Sequence, residues 1–388
     1  MPSLEELKKD LAAHADQAYQ LNYAIANDPE LSGEEYHACQ HYVDLCRSLG
    51  MDVEEKFTGQ PTAFKAVVRR VEKPVFSMAL LAEYDALPVV GHGCGHSANG
   101  AASFLAAAAL KDMEDLPVNI DLIGTPDEEL RGGKVIMCQQ DVFKAYDFAI
   151  MVHQAPTETT PNSHFLALDD YRIAFHGQTA HAASEPWHGR NALNGAMLAL
   201  HAVDMLRQHV RPETRIGSYI VNGGAASNVI PDYAEVECCI RHSKRSYLDT
   251  IVPKIMNCFK GAAIATETTY DVQQMGCKYD DMIWNVAATK AVEDVLTDMD
   301  IPFIYPHDCG SSDIANVSHQ CPAIHVHLAL GDKPMPEHSV EVANAVKAKT
   351  IEPFIMRAAE IMGRLALRFA ADADLRQKMK DEFLSADR

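Results

Sequence analysis

"VFSMALLAEYDALPVVGHGCGHSANG", residues Val75 to Gly100, carries three features in order. A continuous apolar run extends to Ala82, two carboxylates follow at Glu83 and Asp85, and His92, Cys94 and His96 then crowd among glycines before an alanine-rich stretch. A short apolar run bounded by polar residues reads as a buried strand, and the segment from Asn99 to Met113 as a helix. The pattern recurs twice. Val118 to Ile123 is strand-like and runs into Asp127, Glu128 and Glu129; Phe148 to Val152 is strand-like and runs into His153, with a helix expected from about Lys134 to Lys144 between them. Strands alternating with helices predict an α/β fold with a mostly parallel sheet flanked by helices. In such sheets ligands gather outside the carboxyl ends of the strands. Each strand here ends in chemistry, so residues distant in sequence are expected to converge at one edge.

Outward from this region, the first 55 residues read as helices, the second opening with Ser32 as N-cap and Glu35 three residues later, a capping box. From about Tyr171 the order becomes β-α-β-β-α-β, the ferredoxin-like split unit, which reads as a small domain inserted into the larger one. The expected division is 1–169 with 279–388 for the larger domain and 170–278 for the insertion. After Lys278 come a helix, the strand "PAIHVHLAL" and a final long helix from about Val340. A chain of 388 residues with 47% hydrophobic and 23% charged residues suits two globular domains. The net charge of −20 argues against nucleic acid or an anionic membrane as partner. No apolar run reaches the roughly 18 residues of a membrane span, and the N-terminal "MPSLEELKKDLAAHADQ" reads as an amphipathic helix, not a signal peptide. Ten cysteines without framework spacing point to reduced cytoplasm.

The candidate metal ligands are Cys94, His96, Glu129, His153 and His338. Cys94 and His96 stand two apart on a glycine-rich loop, and thiolate with imidazole suits borderline ions such as Zn²⁺. A carboxylate shared between two ions holds them about 3.5–4 Å apart. Taken singly, a cysteine or histidine is more often structural and a "DEE" run more often a solvated loop; their joint placement at strand ends favours the metal. Glu128, beside a ligating Glu129, is left free to act as general base. Asp85 is placed to hold a ligand histidine in its tautomer. His92 reads equally as an outer partner of the ligands or as a turn residue.

"LAEYDALPVVGHGCGH", "GTPDEELRGGK", "HGQTAHAASEPWHGRNAL", "GGAASNVIPDYAEV" and "PEHSVEVANA", in this order over nearly the whole chain, resemble the M20 metallopeptidase/aminoacylase family. The branch is that of N-acyl-amino-acid amidohydrolases, indole-acetyl-amino-acid hydrolases and p-aminobenzoyl-glutamate hydrolase. The resemblance implies a di-metal catalytic domain and a ferredoxin-like lid through which two subunits dimerise. It makes Cys94, His96, Glu129, His153 and His338 the ligands and Glu128 the general base. His181 falls on a lid histidine that reaches the partner subunit's active site, and Asn228 on a lid residue that contacts substrate. Arg241 falls either on a partner for a substrate carboxylate or on a surface arginine, and His325 and His327 rival His338 as the late ligand. The chain departs from the family at Ser97, where Asp or Asn is usual, and at Asp127 and Arg131, where small residues are common, which implies a more charged pocket. The implied activity is hydrolysis of an amide C–N bond in an N-acyl amino acid, dipeptide or aryl-amide conjugate, with two divalent ions per subunit, Zn²⁺ or Mn²⁺ foremost and Co²⁺ or Ni²⁺ as alternatives. A hydrolytic deaminase using the same site and a metal-dependent binding protein without catalysis are the rival readings. A serine hydrolase is disfavoured because no G-x-S-x-G elbow occurs.

Overall fold

The computed structural model describes residues 2–331 and 335–387. The strands are β1 (Asp52–Glu55), β2 (Phe64–Arg69), β3 (Phe76–Ala82), β4 (Val118–Gly124), β5 (Phe148–Ala155), β6 (His164–Phe165), β7 (Ala167–His176), β8 (Arg215–Asn222), β9 (Tyr233–His242), β10 (Thr269–Tyr279), β11 (Asp308–Cys309) and β12 (Ala323–Ala329). The α-helices are α1 (Leu4–Asn27), α2 (Tyr36–Ser48), α3 (His96–Asp112), α4 (Gly133–Cys138), α5 (Ala192–Leu206), α6 (Arg245–Ala265), α7 (Val286–Asp298), α8 (Ile314–Ser318), α9 (Val340–Ala345), α10 (Glu352–Ala371) and α11 (Ala373–Ser385). They form two compact units, Met1–Phe165 with Met282–Arg388, and Leu166–Asp281.

The larger unit is built on a six-stranded sheet in the order β1-β2-β4-β3-β5-β12. From β4 to β12 the strands are parallel, and β1 and β2 extend the sheet antiparallel at one edge. This is the mostly parallel sheet the sequence predicts. The parallel strands are buried on both faces, which explains their unbroken apolar runs. In β3, Met78, Leu80 and Ala82 face the core formed with α1, α3 and α10, while Ala79 and Leu81 face a second core containing Met137, Phe143 and Ile314. Helix α3 is buried from His96 to Leu110. Its small side chains let it lie on the sheet while α1 and α10 cover its back.

The smaller unit follows β7-α5-β8-β9-α6-β10, the expected ferredoxin-like order, with an antiparallel sheet ordered β10-β7-β9-β8. Ile173 and Phe175 of β7, Val236 and Ile240 of β9, and Leu248, Ile255 and Phe259 of α6 form its core. Strand β8 lies at the sheet edge with all but one of its residues exposed.

Several local expectations fail for physical reasons. Ser32 and Glu35 make no capping box: α2 begins at Tyr36 without a side-chain cap, because both side chains are engaged elsewhere. The capping box that does form is Ser3 with Glu6, at the start of α1. Helix α3 begins at His96, so this residue is the first of a helix and not a loop residue. The segment 134–144 breaks into α4 and a 3-10 turn, Val142–Ala145. The final long helix is three, α9, α10 and α11; Pro353 sits in the first turn of α10, and Asp372 caps α11 through its side chain.

Candidate metal centre

The carboxyl ends of β3, β4 and β5 deliver Asp85, the Glu128–Glu129 pair and His153 to one edge of the sheet. The loop before α3 adds Cys94. Its turn depends on Gly95, whose φ of +76° caps α3 and whose missing side chain leaves room for Gln154: a Cβ there would stand 2.3 Å from Gln154 Cγ. The Gln154 amide in turn donates to the Cys94 carbonyl at 3.1 Å. His338 comes from the turn before α9, with a φ of +53°, a left-handed conformation uncommon for a side-chain-bearing residue.

Four overlapping groups of ligand atoms result, each within 4.8 Å of one another: Cys94, His96 and His153; Cys94, Glu129 and His338; His96, Glu128 and Glu129; and Glu83, Glu128 and Asp313. All five expected ligands are thus drawn together. Cys94 Sγ lies 3.7 Å from His153 Nε2 and 3.6 Å from His338 Nε2. The inward nitrogens of His96 and His153 are set by their far sides. His96 Nδ1–H donates to Asp85 Oδ1 at 2.8 Å, and His153 Nδ1–H donates to the Gln154 carbonyl at 2.6 Å, so both rings turn Nε2 inward. Asp85 is a hub: its Oδ2 accepts from the Glu129 amide at 3.0 Å and from Ser32 Oγ at 2.8 Å. Burial opposes the Asp85 charge, but His96 and these donors hold its carboxyl well below the usual carboxylate range.

The residues fit divalent cations. Glu83 Oε2 and Glu129 Oε1 are buried without a hydrogen-bond partner, 3.4 and 3.9 Å from His96 Nε2. Burial pushes the Cys94 thiol up and the His153 imidazolium down, so the first needs a cation to ionise and the second is a neutral donor. Burial opposes charge on His96 as well, but Glu83 and Asp85 overcome it and hold this imidazole well above its usual value; the surrounding carboxylates favour any cation at its Nε2.

Three residues of this centre received no role from the sequence. Lys134, fully buried, donates from Nζ to Glu83 Oε1 and, at 2.6 Å, to Asp313 Oδ1; its amide donates to Asp313 Oδ2 at 2.9 Å. Glu128 faces this cluster, and burial with the charge of Glu83 raises its carboxyl well above the usual range. The signal available was a lysine inside the otherwise apolar "GGKVIM", where a solvated lysine is out of place.

The smaller unit matches, over residues 167–267, the M20 pattern described as a peptidase dimerisation domain. Along the whole chain, the Xaa-Arg dipeptidase of Mus musculus is 31% identical, over 98% of this chain and 93% of its own length. A p-aminobenzoyl-glutamate hydrolase chain of Escherichia coli is 30% identical over 74% of this chain and 63% of its own. The chain belongs to the M20 metallopeptidase family. Like its relatives it is a metal-dependent hydrolase of amide or peptide C–N bonds. The fold agrees: the aminobenzoyl-glutamate utilization protein of Klebsiella pneumoniae superposes with a TM-score of 0.69 at 19% identity, covering 91% of this chain and 98% of that one.

Within this M20 member the departures have structural readings. Ser97 is buried and its hydroxyl has no partner. Asp127 and Arg131 do not make a more charged pocket; Arg131 Nε pairs with Asp127 Oδ2 at 2.5 Å, so they neutralise each other. His325 stacks on His153 and His327 meets it edge-on, with ring centroids at 5.2 and 5.7 Å, but among the described residues neither enters a group of three donors. His92 is buried with neither ring nitrogen hydrogen-bonded and joins no such group either. In the lid, the loops carrying His181 and Asn228 are joined: His181 bridges Val229, and the Ala182 amide donates to the Asn228 carbonyl at 3.0 Å. The amides of Ala183 and Ser184 donate to His181 Nδ1 at 3.2 and 3.1 Å, which places the ring proton on exposed Nε2. Arg241 is not with them; it pairs with Leu168, near the far end of β9 from Tyr233.

Proposed function

We propose that this M20 enzyme releases an amino acid from a dipeptide, an N-acyl amino acid or an aryl-amide amino-acid conjugate, at a site holding two divalent ions. The observation that carries this reading is the overlap of the donor groups, in which Cys94, His96, Glu128 and Glu129 each belong to two groups. Ions bound there, Zn²⁺ or Mn²⁺ foremost, supply Lewis acidity toward the amide carbonyl and toward water. Glu128 takes the proton of the attacking water and passes it to the leaving nitrogen; its raised affinity for a proton suits that role. Asp85 fixes the His96 tautomer and the Glu129 backbone together. The protonated Nε2 of His181 is the donor to the developing oxyanion in the active site of a second subunit, and Asn228 beside it contacts substrate. Dimerisation through the lid is supported by the exposed edge strand β8, with Tyr219, Ile220 and Val221, and by Met197, Leu198 and Met205 exposed on α5. Arg241 lacks such support as a substrate partner.

The test is a product scan. Zn²⁺- or Mn²⁺-loaded protein meets a panel of dipeptides, N-acyl amino acids, aryl-amide conjugates of glutamate and aminoaromatics, read by mass spectrometry, with Glu128→Ala as control. Release of an amino acid that disappears in the control is expected. Release of ammonia alone would replace this reading with the deaminase.

A further inference from the structure

The segment between α1 and α2 is tied into the metal centre at two points. Leu31 bridges Ala86, the Ala86 amide donates to the Glu30 carbonyl at 2.9 Å, and Ser32 Oγ donates to Asp85 Oδ2. Three residues on from Ser32, Glu35 is fully buried beside the turn that carries the catalytic carboxylates. Its Oε1 accepts from the Gly33 amide at 2.7 Å and from the Asp127 amide at 2.8 Å, and its Oε2 accepts from Thr62 Oγ1 at 2.8 Å. Asp127 has a φ of +65°, left-handed for a residue with a side chain, and it immediately precedes Glu128 and Glu129. That conformation persists only where its surroundings enforce it. Glu35 holds its amide, Gly132 donates to its carbonyl at 2.8 Å, and Arg131 holds its carboxylate. The strap turns at Gly33, whose φ of +81° is a backbone conformation that side-chain-bearing residues rarely adopt.

We propose that Glu35 is a positioning residue of the active site, which pins the Asp127 amide so that Glu128 and Glu129 point to their separate tasks, and that it works as a hydrogen-bond acceptor and not as a charge. The inference rests on the metal-centre reading above. Both backbone amides bond one oxygen, Oε1, so a glutamine carbonyl can replace it. The Thr62 hydroxyl, which donates to Oε2, can reverse and accept from the glutamine NH₂. Burial, reinforced by the charge of Asp85, pushes the Glu35 carboxyl up to about 7, so its surroundings disfavour the charge while the hydrogen bonds remain.

The experiment titrates the full chain with Co²⁺ alone, following the visible absorption of the bound ion, for the wild type and for Glu35→Gln, Glu35→Asp and Glu35→Ala, with Glu129→Ala as reference. Hydrogen exchange of the peptide containing residue 127 is read in parallel. Glu35→Gln is expected to keep the wild-type spectrum, protection of the Asp127 amide, and affinity within about threefold. Glu35→Asp keeps the charge but is one methylene short; like Glu35→Ala, it is expected to bind about 10–100-fold more weakly, with a shifted spectrum and faster exchange. The reverse order, Asp wild-type-like and Gln impaired, overturns the proposal in favour of a charge role, as does wild-type behaviour of all three variants in favour of no role. If Glu35→Ala does not fold, the Gln and Asp variants still decide. Wild type and Glu129→Ala binding Co²⁺ equally would overturn the metal-centre reading itself, a result distinct from any ordering among the Glu35 variants.

Discussion

Asp85, Glu128 and Lys134 show how differently buried charges act in one centre. Glu128→Gln is expected to lower turnover by about 10²–10⁴-fold with metal content unchanged, measured by product formation beside elemental analysis. Asp85→Ala is expected to weaken metal binding by about 10–100-fold, because His96 loses the acceptor that fixes its tautomer and the Glu129 amide loses its anchor. Competition with a chromophoric chelator reads that loss. Lys134→Met should cost about 3–5 kcal/mol in urea unfolding, since Glu83 and Asp313 remain buried without their cation. Cys94, Glu129 and His153 stood out in the sequence because they follow a strand or sit on a glycine-rich turn; His96 opens α3, and His338, in the turn before α9, was marked only by its motif. Lys134 was not legible, because its partners Glu83 and Asp313 meet it only in the folded chain, through the "CGSSD" loop that precedes α8.

Strand β3 and helix α3 were readable from apolar runs because both are covered on every side. The elements that escaped are those whose polar residues serve a tertiary purpose. Ser32 and Glu35 have the spacing of a capping box, yet Asp85, Asp127 and Thr62 claim their side chains, and α2 starts uncapped. Local pattern loses there to partners 27 to 92 residues away. The same burial has a consequence for stability. With the Glu35 carboxyl raised from 4.5 to about 7, the native state binds a proton that the unfolded chain has released. This contribution is present below pH 4.5 and is lost as pH rises through 7, by up to about 3 kcal/mol. Glu35→Gln removes the dependence. The variant should match wild type in urea unfolding near the lower of these pH values and be the more stable about one unit above the upper; equal midpoints under both conditions would show that Glu35 does not titrate in this range.

At the scale of the molecule, the alternation of strands and helices sufficed for the class of the larger unit, and β-α-β-β-α-β order for the smaller. Of the antiparallel edge, β1 has no apolar signature in its exposed DVEE, whereas β2, FKAVVR, alternates buried and half-buried residues and carries a readable strand pattern. The proposed dimerisation through β8 makes its own prediction: Ile220→Lys, on an exposed edge, should shift the protein toward monomer in sedimentation. If His181 serves a second subunit, turnover at dilute enzyme should fall with the dimer fraction. The lid is inserted between Phe165 and Met282, and this interruption sets an order in time as well as in space. A ribosome delivers Cys94, His96, Glu128, Glu129 and His153 before the lid, and Asp313, β12 and His338 after it. A nascent chain therefore possesses the Cys94–His96–His153 donors early, while the group closed by His338 stays open until the lid has been made and the remaining strand has joined β5. The candidate donor groups are thus supplied in sequence during synthesis, and His338 is the last of the five expected ligands to be made.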